Sequence, residues 1–178
     1  MPISLSRLIH RIQPLVALAK CVAVLLSYLL GAYVSSYFHE TSGLTGAILA
    51  CTSAIVVLQE TDMKNSLKKG WLRVLGTFIG AIIAYCYLLL YPFSIAGMVI
   101  TTFILEIICM LLRIPDNGKM ATITLIIILI VSKQSPDLAP WLNGVLRFSE
   151  AAIGAAIGIG LLWVQIIMQK AVKKTPSA

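Results

Sequence analysis

Apolar and polar positions alternate along this chain on the scale of whole helices. Apolar stretches run roughly over 15–34, 43–58, 71–90, 93–112, 120–132 and 145–167, separated by short polar or turn-forming breaks. A helix that crosses the hydrocarbon core needs about 20 residues. The second and fifth stretches fall short of that and reach it only with flanking residues such as Asn117 and Lys133; a re-entrant or interfacial placement is their other reading. Irregular backbone cannot face lipid, so the pattern predicts an all-α membrane protein with about six transmembrane helices. The breaks follow turn chemistry: Tyr91-Pro92 leaves room only for a tight hairpin, 113–119 reads RIPDNGK, and 134–140 reads QSPDLAP. None is a domain linker.

Ahead of the first span, Leu5, Leu8, Ile9 and Ile12 follow helical spacing, with Arg7, His10 and Arg11 on the other side. Residues 1–13 therefore read as an amphipathic helix lying in the headgroup region. A cleavable signal peptide fits less well, because the next apolar run is too long and lacks a small-x-small site. Residues 14–169 form the six-helix module and 170–178 a basic cytoplasmic tail.

Two stretches of this pattern match each other. WLRVLGTFIGAIIA (71–84) and VLRFSEAAIGAAIG (145–158) lie 74 positions apart, with Leu72-Arg73 against Leu146-Arg147 and Ile79-Gly80-Ala81 against Ile153-Gly154-Ala155. They open the third and sixth apolar stretches. Three spans lie between one copy and the other, and an odd number reverses orientation. The expected plan is a three-plus-three inverted repeat, common among secondary transporters.

Composition and charge sharpen this picture. Apolar residues make up 59% of 178 positions and the mean hydropathy is +0.95. Charged residues are 12%, against about a quarter in soluble domains. The net charge of +7 is distributed as a topology signal: with the amino terminus inside, 12 of the 14 cations fall at inner ends, and only Lys133 and Arg147 at outer ends. The positive-inside rule places both termini in the cytoplasm. A nucleic-acid surface is not expected, because no aromatic-rich basic domain accompanies the charge. Cys21, Cys51, Cys86 and Cys109 are singletons within apolar stretches, so neither a metal site nor a cofactor is expected.

Ionisable groups inside spans are costly and point to function. Glu106 lies about 9 Å deep from the inner end of the fourth span, too far for a carboxyl to snorkel. Proton coupling and a static ion pair with Arg73 or Lys20 are its two readings. Arg147 and Glu150 stand three apart on one helix and can pair directly; Glu150 is, beside Glu106, the other candidate to handle a proton. Each arginine heads a stripe of small residues, Gly76, Gly80 and Ala84 after Arg73, and Gly154 and Gly158 after Arg147. Such stripes permit close helix packing and turn both arginines into protein. Each arginine also sits near the start of its apolar stretch, where the helix dipole disfavours a cation unless an anion is near. That suggests Arg73 and Arg147 as substrate-binding groups for an organic anion; neutralisation by Glu60 or Asp62, and by Glu150, is the alternative. No paired carboxylates, nucleophile elbow or phosphate loop is found, so an enzyme is not expected and transport energy would come from a gradient.

The run 46–84, GAILACTSAIVVLQETDMKNSLKKGWLRVLGTFIGAIIA, resembles the fusaric acid resistance and aromatic acid exporter family. In that family an apolar second helix ends in a short charged stretch before a helix carrying Arg, two residues, Gly-Thr and a further Gly-Ala. Arg73, Gly76, Thr77, Gly80 and Ala81 fill those places, and LRFSEAAIGAAIG (146–158) resembles the same family's sixth helix, with Arg147, Glu150 and Gly154. The resemblance spans about 15–167. It implies a bacterial inner-membrane module that exports organic acids, including aromatic carboxylates, or an anion channel like the related plant malate channels. Many members also carry a large cytosolic domain and a second membrane module, which are not in this sequence. A lone module is expected to form a homo-oligomer, most simply a dimer through its small-residue stripes, or to serve as an accessory subunit of a larger transport complex.

Overall fold

The computed structural model describes residues 14–112 and 118–174. The amphipathic helix expected over 1–13 and the last four positions of the tail lie outside them. Six α-helices follow one another among the described residues: α1 Pro14–Phe38, α2 Gly43–Leu58, α3 Met63–Leu90, α4 Ile95–Leu111, α5 Gly118–Gln134 and α6 Pro140–Lys174. A single 3-10 turn, Glu40–Ser42, leads into α2, and no strand occurs among the described residues. Among the described residues, four segments are long and apolar enough to cross a membrane: Val16–Phe38, Glu40–Leu58, Met63–Leu90 and Pro140–Lys170. Helices α4 and α5, at 17 residues each, stand at the lower limit of about 17 for a spanning helix.

The third helix starts eight positions before the apolar stretch that announced it. Asp62 caps α3, accepting from the Asn65 backbone N–H at 3.4 Å, and the polar run Met63–Gly70 is its first two turns. Hydropathy finds where a helix enters lipid; the cap finds where it begins. Helix α4 starts by the same device, Ser94 accepting from Gly97 N–H at 3.0 Å.

Packing reproduces the repeat. Among the described residues the touching pairs are α1–α2 and α4–α5, α2–α6 and α5–α3, α1–α6 and α4–α3, α2–α3 and α5–α6, and α3–α6. Exchanging α1 with α4, α2 with α5 and α3 with α6 maps this set onto itself. The directions agree: Gly31 meets Gly46 and Ala50 while Gly43 meets Ser36, so α1 and α2 are antiparallel. Gly154 meets Ala50 and Gly158 meets Ala54, so α2 and α6 run parallel. Gly70 meets Ala155 and Ile159, and Gly144 meets Ala81, so α3 and α6 are antiparallel. The two sets of three helices are inverted with respect to each other.

The closest contacts repeat as well. A Cβ on Gly80 would overlap the Ala121 carbonyl of α5, and a Cβ on Gly154 would overlap the Ala50 carbonyl of α2. Glycine is required at both because backbone meets backbone. The small-residue stripes are thus used inside one protomer, which corrects the expectation that they offer a dimer surface. Gly154→Ala should cost about 1–3 kcal/mol through overpacking and lower the thermal midpoint in detergent. Gly160→Ala, where nothing lies within 4 Å, should not lower it and should raise it slightly through helix propensity.

One pair of loops is pinned by polar contacts. His39 Nε2–H donates to Asp137 Oδ2 at 2.9 Å, while Nδ1 accepts from Thr41 at 3.0 Å and Ser42 at 3.1 Å. This ties the α1–α2 connection to the α5–α6 connection at one end of the bundle. The hydrogen bond from His39 holds the Asp137 carboxyl below its ordinary value. A depressed folded value means the contact is favoured above the ordinary carboxylate range and is lost as pH falls through the depressed value. A spin-label distance between the two loops should stay constant at neutral pH and widen only below about pH 4. In Asp137→Asn that acid transition should be absent.

Candidate functional site

Helix α3 places Asn65, Lys69 and Arg73 at four-residue spacing, hence on one face. The end of α2 brings Gln59 and Glu60 to that face, and the start of α5 brings Lys119 and Met120. Together with Lys68 they line a cleft of about 590 Å³ at one end of the bundle. Its volume falls within the range of small-molecule sites, about 300–1,000 Å³. Among the described residues the lining carries Lys68, Lys69, Arg73 and Lys119 against one carboxylate, Glu60. Glu60 pairs with Lys69 at 2.5 Å. Beside that pair, Arg73 and Lys68 make the lining positive.

Arg73 forms part of the wall and is 3% exposed. Its Nε–H donates to Ser53 Oγ at 3.0 Å, and its Nη1 reaches the Met120 sulfur. Ser53 in turn donates to the Leu49 carbonyl at 2.7 Å, and Thr77 donates to the carbonyl of Arg73 at 2.9 Å. The guanidinium is therefore positioned by neutral groups of α2 and α5. No carboxylate pairs with it among the described residues: Glu60 is bound to Lys69 and Asp62 caps α3. A largely buried cation held only by neutral partners raises the potential of the adjoining cleft and favours an anion there.

Arg147 sits in the matching place on α6 but in a different setting. Its Nη1 lies 3.0 Å from Glu150 Oε2, and both side chains are 0% exposed. The contact is one of charge without hydrogen-bond alignment, since all three guanidinium nitrogens and Glu150 Oε2 lack an aligned partner. The other carboxylate oxygen accepts from Ser35 of α1. Nearby, Asn143 anchors α6 to α5 through the Ile128 carbonyl and Ser132, each at 3.1 Å.

Neither arginine lies at a helix start. Arg73 is ten residues into α3 and Arg147 seven into α6, about 15 and 10 Å along the axis. The dipole contribution fades within the first turn, so the helix-start argument for an anion does not hold. What favours an anion at Arg73 is burial without a counter-charge. Glu106 of α4 accepts from Thr122 at 2.6 Å and lies over Gly118 of α5; it pairs with neither Arg73 nor Lys20. The sequence singled out Arg73, Arg147, Glu106 and Glu150. It missed Lys68, Lys69 and Lys119 as cleft residues, having counted them only for topology. The spacing from Lys69 to Arg73 was the available signal. Ser35 carried none, being one hydroxyl in an apolar stretch.

Fold and site together define a multi-pass helical membrane protein with a cation-lined cleft beside a buried arginine. The chain belongs to the fusaric acid resistance protein-like family, whose model matches residues 22–161. The family is one of membrane transport proteins, not of enzymes. No curated protein and no solved structure matches the chain.

Proposed function

We propose that this protein exports small organic anions, aromatic carboxylates among them, across the bacterial inner membrane, driven by an ion gradient or by the substrate's own. The observation that carries this reading is Arg73, buried without a carboxylate partner, in the wall of a cleft with surplus positive charge. A planar carboxylate is the natural complement of a guanidinium fork. Lys68, which also lines the cleft, adds to the attraction for anions there. The cleft opens at the end of the bundle that holds Lys64, Lys68, Lys69 and Lys119, which the positive-inside rule assigns to the cytoplasm along with both termini. Loading from inside suits export. A homodimer, if formed, uses faces other than the glycine stripes.

Uptake into liposomes of a panel of organic anions, with and without an imposed pH difference, tests the proposal. Saturable flux of an aromatic carboxylate is expected, with no flux of a neutral amide analogue. Absence of flux for every anion, together with co-purification of a larger complex, would assign the chain an accessory role instead. Current carried without saturation would make it a channel.

A further inference from the structure

The two halves share a pattern of contacts but not a degree of closure. Helix α1 packs extensively on α2 and on α6; its mirror image α4 packs far less on α5 and on α3. The tight side is built to be tight: the Ser36 and Ser35 hydroxyls fill the places of the missing Cβ atoms of Gly43 and Gly46, and Gly31 lies on the Gly46 carbonyl and the Ala50 methyl. On that side Arg147 is sealed at 0% exposure. On the loose side a cleft of about 590 Å³ reaches Arg73, and α4 contributes no described residue to its lining.

Two inverted halves with one closed and the other open are what alternating access requires, because exchanging the two conformations moves the opening to the other face. The polar residues on α1 and α4 give the exchange a chemical content. Ser35 lies over Gly46 near the start of α2, and Glu106 lies over Gly118 at the start of α5. Ser35 reaches across to α6 and donates to Glu150, the carboxylate beside Arg147. The mirror image of that reach takes Glu106 across to α3, beside Arg73. In this structure Glu106 is instead held on α5 by Thr122, and the space beside Gly76 is filled by Met120 and Ala121.

We infer that α1 and α4 are the two moving gates, and that Glu106 is the positioning residue that closes α4 onto Arg73 as α1 releases Arg147. Each arginine then has one carboxylate, Glu150 for Arg147 and Glu106 for Arg73. Carboxylate and substrate compete for one guanidinium, so Glu106 displaces the anion from Arg73 as α4 closes and α1 opens on the other side. Release of substrate is thereby linked to closure of the inner mouth, and an empty carrier returns with its cation neutralised. The inference deepens the export reading and rests on it for what is carried; the movement itself is measured without substrate.

The test uses the full chain in membranes, with Cys21, Cys51, Cys86 and Cys109 replaced. In a Ser35→Cys background, labelling by a membrane-impermeant maleimide from outside reports the opening of α1. In the same background Glu106→Gln should slow labelling about tenfold, as expected when one state loses a charge pair, and Glu106→Asp should restore it. A second variant, Glu106→Cys with Gly76→Cys, should form a disulfide on oxidation, because closure brings α4 within Cα reach of α3. Once formed, that disulfide should speed labelling at position 35. Binding of benzoate from the inner side should survive Glu106→Gln, which separates failure of the gate from failure of the anion site. Equal labelling rates in the parent and Glu106→Gln, with no 76–106 disulfide in protein that elutes as folded, would overturn the inference.

Discussion

Arg73→Gln is expected to reduce flux of an aromatic carboxylate by about a hundredfold while leaving the protein folded in the membrane. The magnitude follows from removing one partner of a desolvated charge pair, about 2–5 kcal/mol, at 1.4 kcal/mol per tenfold. The folding half of the prediction follows from what Arg73 touches. Its partners are the Ser53 hydroxyl and the Met120 sulfur, and Ser53 keeps its own bond to the Leu49 carbonyl. Replacing the guanidinium strands no buried charge. Arg73→Lys should recover part of the flux, since an ammonium retains the charge but not the fork. Liposome flux together with a thermal midpoint checks both halves. Wild-type flux from Arg73→Gln would remove the anion site from this cleft.

The fold was largely legible because its logic is one-dimensional. Six apolar stretches correspond to six helices, and the spacing of Arg73, Thr77 and Gly80 against Arg147, Ala151 and Gly154 carries the inversion. Glycines that must admit a neighbouring backbone leave a mark at four-residue spacing, and the structure sets them on the Ala121 and Ala50 carbonyls. The polar start of α3 was less legible, because Met63–Gly70 looks like a loop to hydropathy and like a helix only to its Asp62 cap. The cleft was hardly legible at all. Lys69 and Arg73 share a helix face, but Lys119 joins them only because α5 lies against α3. The difference in closure between the halves leaves no trace in the two matching stretches, because it lies in how α1 and α2 pack as against α4 and α5, outside those stretches. Which arginine has a carboxylate depends on Glu150 standing where Gly76 stands in the other copy, a difference visible in the alignment of the two stretches.

That difference predicts opposite outcomes for the same substitution in the two halves. Arg147→Gln should destabilise the protein by about 3–5 kcal/mol, the cost of leaving one member of a buried ion pair without its partner. Glu150 is 0% exposed, and among the described residues its other polar contact is the Ser35 hydroxyl on the far oxygen. Glu150→Gln should be damaging for the converse reason, because Arg147 is equally buried and its nitrogens have no aligned alternative partner. The double variant Arg147→Gln/Glu150→Gln removes both charges, so it should regain most of the lost stability, and a double-mutant cycle should return a large favourable coupling. Thermal unfolding of the four proteins in one detergent measures it. If Arg147→Gln unfolds like Arg73→Gln, with no loss, then Glu150 is not held by Arg147 and the sealed half owes its closure to the α1–α2 glycine contacts alone.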